Sequence, residues 1–377
     1  MNLPGRVKFF LKNLSSKTIR ELIAIAVILC ISVTISLPAF FSDLEKRRSQ
    51  EQDIPEKSME QSSPEEQKMD PELLKQADSY FSTTSICSFI VMRHGNIVYE
   101  KYYDKNTPDV YNNVFSVTKS VISALTGIAI REGYIGNTED KLGKYFPSYV
   151  SNAADKGWGD ITIKHLLTMT PGFLEDLAQW TNSKDWMEFA FRLPLNYRPG
   201  EKFQYANSAS HMLSALLTEA TGMSTYDFAE KFLFQPMDIQ NKKWSQDPSG
   251  YYTGYANLFL RPRDMAKFGY LYLNNGKWEG KQLVPEEWVK ESTSVMYDFN
   301  KEEDGGYVNG YGYKWWINGE TGYYMYSALG YGGQSINVIP ELDLVVVLTA
   351  IPDTPVPMTD KKRIEVLKKY IIPAIKD

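Results

Sequence analysis

The chain has 377 residues, a net charge of −5, 43% hydrophobic residues and 14% aromatic residues. This length is sufficient for two average domains, or for one large domain with an extensive core. The negative charge and the lack of a basic stripe with interleaved aromatic residues exclude nucleic acid as an expected partner. Two cysteines and three histidines provide neither a disulfide framework nor a recognisable metal site. We therefore predict no metal and no cofactor.

The first 71 residues differ in composition from the remainder. Residues 22–41 form an uncharged apolar run of 20 residues, preceded by five basic residues. Such a run can cross a bilayer as a signal anchor, with residues 1–21 in the cytoplasm. A cleaved signal peptide is the alternative. Residues 42–71 are polar and are typical of a disordered linker. These patterns predict a single-pass cell-membrane protein whose folded domain, 72–377, is extracytoplasmic.

Hydrophobic periodicity predicts strands at both ends of this domain and helices in its middle. The predicted strands are 86–92, 97–103, 311–317, 323–328, 334–339 and 342–350. The predicted helices are 73–81, the run that follows Ser116, 161–169, 208–221, 225–234, 263–274, 285–292 and 361–375. Because strands occur at both ends, we expect an α/β (α+β) fold in which one sheet is completed by both ends and a helical part is inserted.

Ser116 and Lys119 lie at the start of a predicted helix whose apolar residues recur at three- and four-residue steps. Residues three apart share one helix face, so the hydroxyl and the amine can come within reach of each other. A serine needs a neighbouring base to become a nucleophile, and burial can shift a lysine toward its neutral form. The alternative is a helix N-cap followed by a solvated lysine. The motif alone leaves both interpretations open.

Five stretches together resemble the serine β-lactamase and penicillin-binding-protein family. They are FSVTKS around Ser116, LLTMTPG at 166–172, YRPGEKFQYANSA at 197–209, RPRDMAKFGYLYLNNGKW at 261–278, and GYGGQ before IPELDLVVV. The resemblance is to the class C-like branch, which includes DD-peptidases, family VIII esterases and aminohexanoate-oligomer hydrolases. It covers about residues 73–377. It implies a β-lactamase-like fold, with an antiparallel sheet and a helical subdomain, and a serine hydrolase that needs no cofactor.

The second motif of this family, Tyr-x-Asn, matches Tyr205-Ala206-Asn207. Other matches at 111–113, 255–257 and 272–274 lack its setting between a Pro-Gly-Glu turn and a predicted helix. By resemblance, Tyr205 is a general base and acid beside Ser116, while Asn207 orients Lys119 and binds a substrate carbonyl. A phenol titrates near about 10, so Tyr205 needs a neighbouring cation, for which Lys119 is the candidate. A core tyrosine followed by a turn asparagine is the alternative.

The third motif, Lys-Thr-Gly or His-x-Gly, aligns with Ala328-Leu329-Gly330. The glycine is retained, but the cation and the hydroxyl that would bind a substrate carboxylate are missing. The N–H groups of Tyr331 and Ser116 can still form an oxyanion hole. We expect a hydrolase that forms an acyl-enzyme on Ser116 and acts on a small ester, amide or peptide. A penicillin-binding DD-peptidase or β-lactamase, and a non-catalytic sensor or binding protein on the same fold, are the alternatives.

Overall fold

An eight-stranded sheet organises this computed structural model, which describes residues 59–240, 243–299 and 309–376. The strands are β1 Ile86–Arg93, β2 Asn96–Tyr102, β3 Asn112–Asn113, β4 Phe259–Leu260, β5 Lys277–Trp278, β6 Lys281–Gln282, β7 Tyr297–Asp298, β8 Gly310–Tyr311, β9 Trp316–Asn318, β10 Met325–Gly330, β11 Gln334–Ile339 and β12 Leu344–Ala350. The main sheet has the order β2-β1-β12-β11-β10-β9-β8-β7, and every neighbouring pair is antiparallel. The pairing of β1 with β12 joins the two ends of the domain, which confirms the predicted sheet.

Most helices lie in the sequence between the early and the late strands, while α1 precedes β1 and α11 follows β12. They are α1 Pro71–Phe81, α2 Val117–Arg131, α3 Pro147–Ser151, α4 Ile163–Leu167, α5 Leu177–Thr181, α6 Trp186–Phe191, α7 Asn207–Thr221, α8 Thr225–Ala229, α9 Pro262–Leu273, α10 Glu286–Ser292 and α11 Asp360–Val366. π-Helical turns at Glu230–Phe234 and Leu367–Ile371 extend α8 and α11. Single 3₁₀ turns occur at Leu142–Lys144, Lys156–Asp160, Gln235–Met237 and Pro340–Leu342.

Alternate residues of β12 enter two cores on opposite faces of the sheet. Val345 and Val347 belong to a large core that includes α2, α7 and α9. Leu344, Val346 and Leu348 belong to a second core with α1 and α11. Both faces of the strand are therefore covered, which explains its continuous apolar sequence. Helix α2 is buried over all of residues 117–129, so its first turn is held rigidly within the large core.

Two predicted elements differ from the structure. The strand predicted at 311–317 is divided into β8 and β9 by a turn, in which Lys314 has a φ of 67°. The helix predicted at 161–169 is limited to α4, since Thr162 caps its start and Met169 has a φ of 60°. Regular strands and helices have negative φ, so a residue with a positive φ interrupts either of them. The remaining predicted elements lie close to their predicted positions.

The predicted N-terminal segments 1–21 and 22–41 lie outside the described residues. The last part of the predicted linker contacts the domain: Met69 is buried and its backbone bridges to Ile375, while Gln61 bridges to Ile97. Among the described residues, no helix is both long and apolar enough to span a membrane. Helices α2 and α7 have 15 residues each, or about 22 Å, whereas a bilayer core is about 30 Å thick. The predicted single-pass cell-membrane localisation is corrected accordingly.

Candidate active site

Ser116 immediately precedes α2, but its hydroxyl does not cap the helix. Its backbone is already helical, with φ −69° and ψ −7°, and its side chain makes no capping hydrogen bond. Instead, Nζ of Lys119 donates to Oγ of Ser116 at 2.8 Å. Phe115, directly before the serine, has a φ of 46°, and such strained backbone is concentrated at functional sites. The geometry supports the nucleophile interpretation over the N-cap interpretation.

Lys119 is 1% exposed, and its amine has three acceptors. Besides Ser116, it donates to Oδ1 of Asn207 and to the backbone carbonyl of Tyr255, each at 2.9 Å. Burial lowers the pKa of Lys119 from 10.5 to about 7, although the carboxylate of Glu175 opposes this shift. An amine that titrates near neutral pH can accept a proton there, because a large fraction of it is uncharged.

Tyr205 lies close to the same hydroxyl, near enough for the Ser116 side chain to influence its pKa. Loss of hydration raises the pKa of Tyr205 to about 12, and the interaction with Ser116 only partly offsets this. The ring lies 4.9 Å from Nζ of Lys119 and stacks on Trp316 at 5.8 Å. The phenol therefore keeps its proton at neutral pH. Of the two predicted proton carriers, Lys119 has the pKa that suits a base.

Asn207 is held in place by a carboxylate that sequence analysis missed. Glu175 accepts hydrogen bonds from N and Nδ2 of Asn207, at 2.6 and 3.0 Å, and from N of Ser208 at 2.7 Å. It thereby satisfies free N–H groups at the start of α7. Because Glu175 holds Nδ2, Oδ1 is directed to Lys119. The partners lie 32 and 33 residues beyond Glu175, so no local sequence pattern marks this contact.

We expect Glu175→Gln to lower kcat about ten- to a hundredfold, because an amide cannot hold Asn207 and the start of α7 in the same way. The same change should move the acid limb of the kcat/KM profile to lower pH. The carboxylate raises the pKa of Lys119, so its loss lets the amine lose its proton at lower pH. Rates of a short ester measured from pH 5 to 9 would show both effects.

Asp70→Asn is the matched control for this prediction. Asp70 also caps a helix with its carboxylate, accepting from N of Glu72 at 2.8 Å, but it precedes α1 in the other core. Its replacement should change neither kcat nor the pH profile. An acid limb that stays in place or moves to higher pH in Glu175→Gln would contradict the electrostatic role of this carboxylate.

Strand β10 brings Gly330 beside the predicted nucleophile. A Cβ atom at Gly330 would clash with the carbonyl oxygen of Val114, so glycine permits this approach of two backbones. The ring of Tyr331 packs edge-to-face on Phe115, with 5.8 Å between centroids. Within the described ranges, neither N–H of Ser116 nor that of Tyr331 donates to another residue. Both donors are therefore available to another acceptor.

Neither Ala328 nor Lys314 supplies the cation that is missing from the third motif. Ala328 is completely buried in the large core. Lys314 is 2% exposed, and its amine donates to the carbonyl of Leu166, so it does not present a charge to a substrate. Among the described residues, no group of His, Cys, Asp and Glu is arranged to hold a metal ion.

Tyr255 also belongs to the site, although sequence analysis set its Tyr-x-Asn match aside. It contributes its backbone carbonyl to Lys119, while its ring packs on Trp180 with 5.2 Å between centroids. Trp180 in turn contacts His211, which is hydrogen-bonded to Asp247 at 2.9 Å. A buried layer of aromatic and polar groups therefore supports the loop that carries this carbonyl. No sequence signal identifies a backbone acceptor of this kind.

The Beta-lactamase family model matches residues 87–368. The 6-aminohexanoate-dimer hydrolase of Paenarthrobacter ureafaciens is 26% identical over 297 residues, which cover 71% of this chain and 73% of that protein. The octameric penicillin-binding protein homologue of Pyrococcus abyssi superposes with a TM-score of 0.63 at 18% identity, over 80% of this chain and 77% of that one. A hydrolase with promiscuous acyltransferase activity, EstCE1, gives 0.65 at 16% identity, over 78% and 96%. These similarities confirm the predicted β-lactamase-like fold. Since the family model spans most of the chain, the protein belongs to the Beta-lactamase family of serine hydrolases.

Proposed function

We propose that the chain hydrolyses small esters or amides through an acyl-enzyme on Ser116. The observation that carries this proposal is the 2.8 Å contact of Oγ of Ser116 with Nζ of Lys119. The lysine is buried and its pKa is lowered to about 7. A hydroxyl beside a neutral amine at the start of a buried helix has the requirements of an activated nucleophile.

In the proposed reaction, Oγ of Ser116 attacks the substrate carbonyl carbon while its proton passes to the neutral amine of Lys119. The carbonyl oxygen becomes an oxyanion, for which the N–H groups of Ser116 and Tyr331 are the donors. Collapse of this intermediate breaks the bond to the leaving alcohol or amine, which takes up the proton. Water then attacks the acyl-enzyme and gives a proton to the neutral amine of Lys119, which protonates Oγ of Ser116 as the acid is released.

Tyr205 and Asn207 assist this proton transfer in the proposed mechanism. Because the pKa of Tyr205 is raised to about 12, its phenol donates a hydrogen bond to the leaving group instead of removing the serine proton. Oδ1 of Asn207 orients Lys119. One N–H of its Nδ2 is bonded to Glu175, and the second remains for a substrate carbonyl.

The cleft surroundings favour substrates without a negative charge. Large apolar or aromatic side chains at the site residues or next to them in the sequence are exposed: Tyr331 at 59%, and Leu174 and Leu177, one and two residues from Glu175, at 45% and 46%. A substrate carboxylate that enters such surroundings loses hydration and finds no cation at the third motif. The lost charge-assisted hydrogen bond is worth about 1.5–3 kcal/mol, or one to two powers of ten in rate. We therefore propose neutral short-chain esters and amides as the substrate class.

Reaction of the full chain with a fluorophosphonate and with benzylpenicillin tests this proposal. We expect the fluorophosphonate to add one label, which peptide mass mapping places on Ser116. In competition, kcat/KM for p-nitrophenyl butyrate should exceed that for penicillin and for D-Ala-D-Ala peptides by about ten- to a hundredfold.

The alternatives give different results in the same assay. A penicillin that is turned over faster than every ester would favour the DD-peptidase or β-lactamase interpretation. Absence of both labelling and turnover, in a folded protein, would favour a non-catalytic sensor on this fold.

A further inference from the structure

Lys314 is a buried lysine that the proposed mechanism does not use. It lies in the turn between β8 and β9, with a φ of 67°, and is 2% exposed. Glycine adopts this backbone conformation without strain, whereas side chains with a Cβ rarely do. A buried amine also loses its hydration. Both the positive φ and the burial of its amine make a lysine here unfavourable for folding. Residues that destabilise the fold in this way occur mainly at functional sites.

The contacts of Lys314 join two parts of the active site. Its Nζ donates to the carbonyl of Leu166 at the end of α4 and lies 3.2 Å from Sδ of Met169. Its own backbone carbonyl accepts a hydrogen bond of 2.7 Å from Oγ of Ser120. Ser120 follows Lys119 on α2. One residue thus fastens the nucleophile's helix to the turn at 166–170.

The turn at 166–170 is also hydrogen-bonded to the segment that carries Tyr205. The carbonyl of Met169 accepts from N of Gln204 at 2.7 Å, and the carbonyl of Thr170 accepts from N of Gly200 at 2.8 Å. Gln204 directly precedes Tyr205. Three hydrogen bonds, joined by the backbone of the turn at 166–170, therefore connect Ser120 on α2 through Lys314 to Gln204, the residue before Tyr205.

We propose that Lys314 is a positioning residue, which fixes the Tyr205 segment relative to the helix that carries Ser116. This inference rests on the proposed function. Burial lowers the pKa of Lys314 well below its ordinary value; the nearby Lys119 adds to this effect, whereas Glu175 opposes it. Burial thus disfavours the charged form of this amine, which can donate to the carbonyl of Leu166 in either form.

The variant Lys314→Met tests this role, because methionine keeps an unbranched apolar chain and removes the donor. We expect it to fold, with an unchanged or higher Tm. The kcat for p-nitrophenyl butyrate and the rate of fluorophosphonate labelling should both fall about ten- to a hundredfold. The KM should stay within about twofold, because positioning of this kind acts in the transition state.

Lys267→Met is the matched control. Lys267 lies on α9, and its Nζ also donates to backbone carbonyls, those of Met237 and Asp238, at 2.9 and 2.7 Å. Its replacement should lower Tm and leave kcat unchanged. Lys314→Gly is the second variant, since glycine accepts the positive φ without strain; it should show the same loss of kcat.

Three results would overturn the proposal. They are a kcat of Lys314→Met within about twofold of the wild-type value, a loss of activity that only follows the fraction of unfolded protein, and failure of both Lys314 variants to fold. Ser116→Ala separates this proposal from the proposed function. If Ser116→Ala still reacts, the proposed function fails; if it is inactive while Lys314→Met is normal, only the role of Lys314 fails.

Discussion

Replacing Ser116 with alanine is expected to lower kcat by at least about a thousandfold and to abolish fluorophosphonate labelling. The oxygen that would form the acyl-enzyme is lost, and no base can restore it. The domain should remain folded, because the Ser116 side chain makes no capping hydrogen bond to α2. Initial rates with p-nitrophenyl butyrate, intact mass after labelling and a thermal melt measure these three effects.

Ser123→Ala is the matched control on the same helix. Ser123 is fully buried, and its hydroxyl has no hydrogen-bond partner among the residues that the structure describes. Its removal should leave kcat and labelling unchanged and should not reduce stability, since an unpaired polar group is lost. Near-normal turnover by Ser116→Ala would show that the nucleophile is a different residue.

The first turn of α2 could be predicted from sequence because its geometry is local. Ser116 and Lys119 are three residues apart, so formation of the helix alone places their side chains on one face. The apolar periodicity after Val117 predicts burial of this helix, and burial explains the lowered pKa of Lys119. The apolar patterns of the end strands predict one sheet that both ends of the domain complete, whereas its antiparallel arrangement is implied by the resemblance to the β-lactamase family.

Contacts between residues that are far apart in the sequence could not be predicted from local patterns. The Tyr255 carbonyl and the Leu166 carbonyl lie 136 and 148 residues from their lysine donors, and a backbone acceptor has no side-chain signature. Glu175 lies in a loop, where sequence alone predicts a solvent-exposed carboxylate. Its contact with the start of α7 is seen only in the structure. The turn at Lys314 was predicted as continuous strand because lysine, unlike glycine, gives no sign of a positive φ.

Lys119→Met is expected to lower kcat/KM by about a thousandfold, and Tyr205→Phe by about a hundredfold, within the range of general acid–base catalysis. The double variant should be scarcely slower than Lys119→Met alone, because the two groups act on one proton transfer.

The pH profile separates the roles of Lys119 and Tyr205. Because the neutral amine is the proposed base, wild-type kcat/KM should fall as pH decreases below the Lys119 pKa of about 7. Tyr205→Phe should keep this acid limb, whereas the residual activity of Lys119→Met should lack it. The limb should also persist in the Lys267→Met control. Loss of the limb in Tyr205→Phe, with its retention in Lys119→Met, would instead make the phenol the titrating base.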